Sequence, residues 1–232
     1  MSLSSSKPPG AWYDAYETID DPASFTFISN GLARATAEFG EPVIPINKIL
    51  LRRSRKTKEA RRYRIGENFS LTQCADSTNG LFVIYMGVDP DHKNYYPLLA
   101  HECAHLINAQ ITDWYMEGIA TVFSEEFCEE QELVWGDWKR HFMKSRREPY
   151  ALSYRMMLDL KEVFPAEYAS LIQHPMPNGK GPEWLHIDID RWLVSLPADR
   201  YDEALDIIEP HVSVLRKQIN EQYAFKVPEA LK

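Results

Sequence analysis

Four side chains in one short stretch, His101, Glu102, His105 and Glu117, could do metal chemistry. His101 and His105 stand four residues apart, so on a helix their imidazoles stack on one face and can share one zinc ion. Glu102 lies one step round the helix, roughly 100° from His101 at a period of about 3.6 residues. That puts a carboxylate beside the metal position instead of on it, where it can take a proton from a water molecule that the ion activates. Cys103 points to roughly the opposite side and is not counted as a ligand. A catalytic zinc takes three protein ligands and keeps one position open. Glu117, in the first turn of the next predicted helix, is the natural third, because a reversal after Ala109 brings that helix back against the first. Without a metal, the same residues read as a helix with two partly buried, hydrogen-bonded histidines.

The run His101-Glu102-Cys103-Ala104-His105, followed by Trp114-Tyr115-Met116-Glu117-Gly118-Ile119-Ala120, resembles the gluzincin metallopeptidases. The nearest pattern is the peptidase-MA-like group with its Trp-x-x-Glu-Gly-x-Ala signature, and the likeness covers residues 79–163. The resemblance implies a zincin-like α+β fold, with a small twisted sheet and an active-site helix above a mostly helical C-terminal subdomain. It implies His101, His105 and Glu117 as ligands of Zn2+, Glu102 as general base, and hydrolysis of a peptide or protein substrate. It also implies a tyrosine that hydrogen-bonds the developing oxyanion. Tyr150, at the start of a predicted helix, is the candidate, with Tyr154 as its substitute. In that family an edge strand above the zinc helix accepts the substrate backbone by strand addition; residues 80–85 are either that strand or an internal strand with no substrate role. The gap between His105 and Glu117 is shorter than in many gluzincins, so the connecting turn must be tight. Some gluzincins carry an acid where this chain has Thr121. Thr121 and Ser124, one and two turns beyond Glu117, could each hydrogen-bond a ligand, but the absence of that acid leaves the orienting partner of the histidines unidentified. The Gly-Ala-Met-Glu-Asn strand motif of the aminopeptidase branch is absent, so endopeptidase and exopeptidase readings both stand.

Around the site, Asn94 is placed to cap a helix over 95–109 that carries both histidines, and Asp113 or Thr112 to cap one running to about residue 130. Pro149 suits the first position of a helix over 149–163, whose buried stripe is Leu152, Met156, Leu160 and Val163. Upstream, Ile28, Leu32, Ala35 and Phe39 recur at helical spacing over 24–39. Strands are expected at 43–51, 63–73 and 81–88, the last two paired antiparallel across Ser77-Thr78-Asn79-Gly80. Downstream, helices are expected at 135–147, 167–173, 187–196 and 200–223, with 174–182 a loop bordering the cleft. His141, His174, His186 and His211 are isolated and read as surface or capping residues. The expected organisation is a lead-in over 1–23, an N-terminal α/β subdomain over 24–110 and a helical C-terminal subdomain over 111–232. Trp12, Tyr13 and Tyr16 are placed to pin the lead-in to the body.

The 232 residues suffice for a real core. The net charge of −8 does not give the surface the basic footprint of a nucleic-acid binder. One basic run, from Arg52 to Arg64 with only Glu59 opposing it, could still contact nucleic acid or an acidic partner; such runs more often form a solvated hairpin. The acids Glu125, Glu126, Glu129, Glu130 and Glu132 read as a solvated helix face. No run is long enough to span a membrane. The N-terminus lacks an apolar signal core. The three cysteines, Cys74, Cys103 and Cys128, are too few and scattered for a disulfide framework, so the expected location is the cytoplasm. Alternatives to the peptidase are a zinc-binding domain without peptidase activity, another hydrolase, or a binding module using the basic run.

Overall fold

The computed structural model describes residues 15–57, 65–179 and 184–222, with side chains to 216. The fold is α+β. Its elements in order are β1 (Tyr16–Thr18), α1 (Pro22–Phe39), β2 (Lys48–Ser54), β3 (Ser70–Asp76), β4 (Leu81–Met86), α2 (Tyr95–His105) and α3 (Trp114–Glu130). Then follow α4 (Trp138–Lys144), α5 (Pro149–Val163), α6 (Pro165–Tyr168), a 3-10 turn (Ala169–Gln173), β5 (Pro175–Pro177), β6 (Leu185–Ile187), α7 (Ile189–Ser195) and α8 (Tyr201–Gln222). No helix among the described residues is long and apolar enough to cross a membrane.

β4 is the hub of the sheet. Strand order is β1-β2-β4-β3, with β4 parallel to β2 and antiparallel to β3. Its side chains alternate between two apolar clusters, as a period of two demands. Phe82, Ile84 and Met86 join the main core. Val83 and Tyr85 pack with Ala15 and Tyr16 on the other face. β4 is therefore an internal strand, and residues 80–85 are not the substrate-accepting edge. Among the described residues, the edge beside it is β3.

The orientation of β3's backbone follows from one bond. Gly87 N–H donates to the Phe69 carbonyl at 3.1 Å while Phe69 N–H turns to the Gly66 carbonyl, so Phe69 and Gly87 hold a hydrogen-bonding position of the ladder with one of its two bonds. In an antiparallel ladder such positions alternate. The register Leu71 with Tyr85 and Gln73 with Val83 then turns the backbone groups of Ser70, Thr72 and Cys74 away from the sheet, toward the open edge. The side chains of Ser70 and Thr72 reach the Leu98 and Glu102 carbonyls of α2, each at 3.4 Å. β3 thus lies directly over the helix that carries the two histidines.

α2 is sandwiched by α1 and α3, and one core runs from Phe27 and Ile28 through Leu99, Cys103, Ile119 and Phe123 to Met157 and Trp192. Cys103 sits under Gly31, where an added β-carbon would fall 2.6 Å from its sulfur. It packs at the α1–α2 crossing, far round the helix from the histidines' face.

Several expected boundaries shift. The first of the expected strands, β2, begins at Lys48, not at residue 43, because Val43 N–H is bonded to the Ile107 carbonyl and holds that segment against the end of α2. β3 begins at Ser70, and residues 63 and 64 of the expected strand lie outside the described residues. Asn94 makes no side-chain cap on α2; its amide donates to Asn68 Oδ1 instead. α2 ends at His105, four residues short of the expected end. The loop expected over 174–182 starts as β5, which pairs with β6 in a hairpin. Tyr16, in the lead-in, is fully buried in β1, while Trp12 and Tyr13 lie outside the described residues. The basic run divides: Arg52 is buried on β2 and donates to the Tyr16 carbonyl at 2.5 Å. Arg53 and Lys56 both pair with Asp89, and residues 58–64 are not described. The acids of α3 are not a purely solvated face, since Glu126 pairs with Lys161 and Arg34, Glu130 with Arg34, and Glu125 with Lys139.

Candidate metal centre

Each donor reaches the site through a feature of its own element. α2 places His101 and His105 one turn apart, their ring centroids 4.9 Å from each other. The reversal over residues 106–113 returns the chain as α3, started by the N-cap Asp113, whose carboxylate accepts from Met116 N–H at 2.8 Å. Glu117 then falls at the end of the first turn, facing α2. Gly118 follows because α5 runs close behind it.

Three donor atoms meet. His101 Nε2 lies 3.1 Å from His105 Nε2 and 3.2 Å from a carboxylate oxygen of Glu117, whose other oxygen is 3.7 Å from His105 Nε2. Ligands about 2.0–2.1 Å from a tetrahedral ion stand roughly 3.3 Å apart. The observed edges match that spacing, and the residue types are those a divalent cation of the zinc class takes. The three side chains are 11 to 16 % exposed, so the trio is largely buried without being sealed from solvent. His101, His105 and Glu117 therefore form a group able to hold a metal ion.

The charges agree. Burial disfavours the Glu117 carboxylate, but the hydrogen bond to His101, the charges of both imidazoles and a hydrogen bond from Tyr150 outweigh it and hold Glu117 below the usual carboxylate value. Burial likewise opposes protonation of His101, and the Glu117 carboxylate more than reverses it, so His101 is raised above the ordinary imidazole value. His105 is lowered, with burial the largest cause. Glu117 and His101 thus support each other's charge as a pair, beside a His105 that favours the neutral imidazole.

Thr121 stands beside the His101 ring. Its hydroxyl donates to the Glu117 carbonyl at 2.6 Å, so toward His101 Nδ1, at 3.5 Å, it has only lone pairs to offer. With a metal in place, a proton kept on Nδ1 would leave the Nε2 lone pair free for the ion. Ser124, the other residue considered for this task, is turned elsewhere: it donates to the Pro97 carbonyl and accepts from the Trp135 indole.

Glu102 is buried beside the trio, with Oε2 unpartnered among the described residues. Its charge is felt at His101, His105 and Tyr150. A buried carboxylate oxygen without a donor is costly unless water or a ligand meets it.

The two tyrosines part company. Tyr150 stands at the site, its ring edge-on to Trp114 with centroids 5.0 Å apart and its hydroxyl near enough to Glu117 for the two groups to shift each other's titration. Burial first, then the Glu117 charge, pushes its phenol well above the ordinary value, so it stays a neutral donor. Tyr154 donates to Glu125 at 2.5 Å and stacks on Trp135, a different layer of the core. It is not available as a substitute. Cys103 is also out of the site, its thiol pushed far up by burial.

Two contributors lie beyond the motif. Asp113 does more than cap α3, since its second oxygen accepts from Ile187 N–H at 2.5 Å. Thr72 joins the sheet edge to the carbonyl of Glu102. An N-cap Asp is readable from sequence; a partner 74 positions away is not. Comparison of the chain with protein-family models, with curated proteins and with solved structures gives no match in any of the three.

Proposed function

We propose that this chain is a zinc-dependent metallopeptidase of the gluzincin kind, built on a zincin-like fold, acting on a peptide or protein substrate. The observation that carries the reading is the convergence of His101, His105 and Glu117 at tetrahedral edge distances, with the unpartnered Glu102 carboxylate on the adjoining step of the helix.

His101, His105 and Glu117 would hold the cation. Zinc, when bound, supplies Lewis acidity toward a carbonyl and lowers the pKa of water. Glu102 takes the proton of the attacking water and passes it to the leaving amine, a shuttle for which an unpartnered oxygen is suited. Tyr150, a neutral donor held by Trp114, hydrogen-bonds the oxygen that gains charge at the scissile carbonyl. The substrate backbone lies along β3, where the outward groups of Ser70, Thr72 and Cys74 offer the rungs of a strand addition. Thr72 fixes that edge to Glu102, so the strand and the base keep one register.

The test is peptide turnover by the zinc-loaded protein. Activity should vanish with a chelator and return with zinc. Glu102→Gln should bind zinc as the parent does and lose turnover. Hydrolysis that survives in Glu102→Gln contradicts the assignment.

A further inference from the structure

We infer that Asp113 is a positioning residue that makes the β5–β6 hairpin part of the metal site, by joining that hairpin to the first turn of the helix carrying Glu117. The inference rests on the metal-site reading above.

The stretch between the last histidine and Glu117 is short and irregular, and much of its fixing comes from β6. Leu185 N–H donates to the Gln110 carbonyl at 2.8 Å and Thr112 N–H to the Leu185 carbonyl at 3.1 Å. Asp113 completes the seam. It is fully buried, with Oδ1 accepting from Met116 N–H and Oδ2 from Ile187 N–H, while its carbonyl accepts from Glu117 N–H at 3.1 Å. A cap alone does not need this residue: Ser, Thr or Asn serve a helix start without burying an acid. The second oxygen explains the acid, because each carboxylate oxygen takes one backbone N–H from a different element. Any shift of β6 against α3 therefore moves the turn from which Glu117 projects. Coupling of this kind is reciprocal: a metal that fixes Glu117 also holds the hairpin, and a docked hairpin tightens the metal.

The experiment compares zinc affinity by competition with a chromophoric chelator, and the visible spectrum of the Co2+ form, in wild type, Asp113→Asn, Glu117→Gln and the double variant. Asn keeps one oxygen for Met116 and turns an NH2 toward the Ile187 N–H. Asp113→Asn should weaken zinc about tenfold or more and shift the Co2+ spectrum toward that of Glu117→Gln. It should add nothing in the Glu117→Gln background, because it acts through that side chain. Hydrogen exchange at Leu185 and Ile187 should slow when zinc binds wild type and respond weakly in Asp113→Asn. Ile187→Pro, which removes the same N–H from the other side, should reproduce the affinity loss and serves if Asp113→Asn does not fold. Wild-type affinity and spectrum in folded Asp113→Asn overturn the inference, as does an equal loss in the Glu117→Gln background. Failure of wild type itself to bind metal is a separate outcome; it removes the underlying reading and this inference with it.

Discussion

Gly118 lies so close to Ser153 that a β-carbon added to it would stand 2.6 Å from the Ser153 carbonyl oxygen and 2.8 Å from Met157 Cγ. The glycine after the third donor is therefore a packing requirement. It lets α5 press against α3, and that contact brings Tyr150 to Glu117. Gly118→Ala must push the helices apart against backbone, at a cost of about 1–3 kcal/mol. Urea unfolding of the zinc-free protein should show that loss, and zinc affinity should fall with it. An alanine variant of full stability would mean the two helices can part freely.

Tyr150→Phe should keep the fold and the metal, because the ring still packs on Trp114. Turnover should drop about a hundredfold, the usual effect of losing an oxyanion donor. Tyr154→Phe is the matching control. It loses the bond to Glu125 and about 1 kcal/mol of stability, with turnover unchanged.

The pH dependence of stability should carry a component from Asp113. Burial raises this acid from the ordinary 3.8 to about 7, against the pull of the Met116 and Ile187 amides. The folded protein thus keeps the proton after the unfolded chain has released it. Asp113's contribution is whole below 3.8 and is lost as the pH climbs to about 7. At about 1.36 kcal/mol per unit, the loss is at most on the order of 4 kcal/mol. Chemical unfolding of metal-free protein at stepped pH should show wild type declining over that interval relative to Asp113→Asn. Parallel curves would contradict the assignment.

Strand addition along β3 can be probed from the substrate side, leaving the protein intact. A peptide with alternate backbone amides methylated, in the phase facing Ser70, Thr72 and Cys74, should be cut about tenfold more slowly per lost bond. The opposite phase should be cut at the parent rate. Equal rates for the two phases would remove β3 as the docking edge.

The chemistry-bearing residues are legible in the sequence because helical geometry converts their spacing into shared direction. His101 and His105 need nothing but α2 to meet, and Glu117 follows from a tight reversal, though the β6 contacts that fix that reversal leave no local mark. The internal position of β4 has a mark in composition, though not in spacing. Leu81–Met86 is apolar at both parities, as a strand covered on two faces is, whereas Ser70–Asp76 mixes polar residues as an edge strand does. The rest depends on long-range contacts that no local pattern holds. Asn94 suits a cap by residue type, but Asn68 takes its amide, and nothing near Tyr154 announces Glu125. The 174–182 segment has the proline and glycine of a loop, yet β6 gives its first residues a partner.

The measurement that bears most directly on the central claim is the metal content of the purified, zinc-equilibrated protein beside that of His105→Ala. The account predicts about one zinc ion per wild-type chain and little in the variant, with both proteins folded. A wild type that takes up no zinc, or a His105→Ala variant that keeps as much, would contradict it.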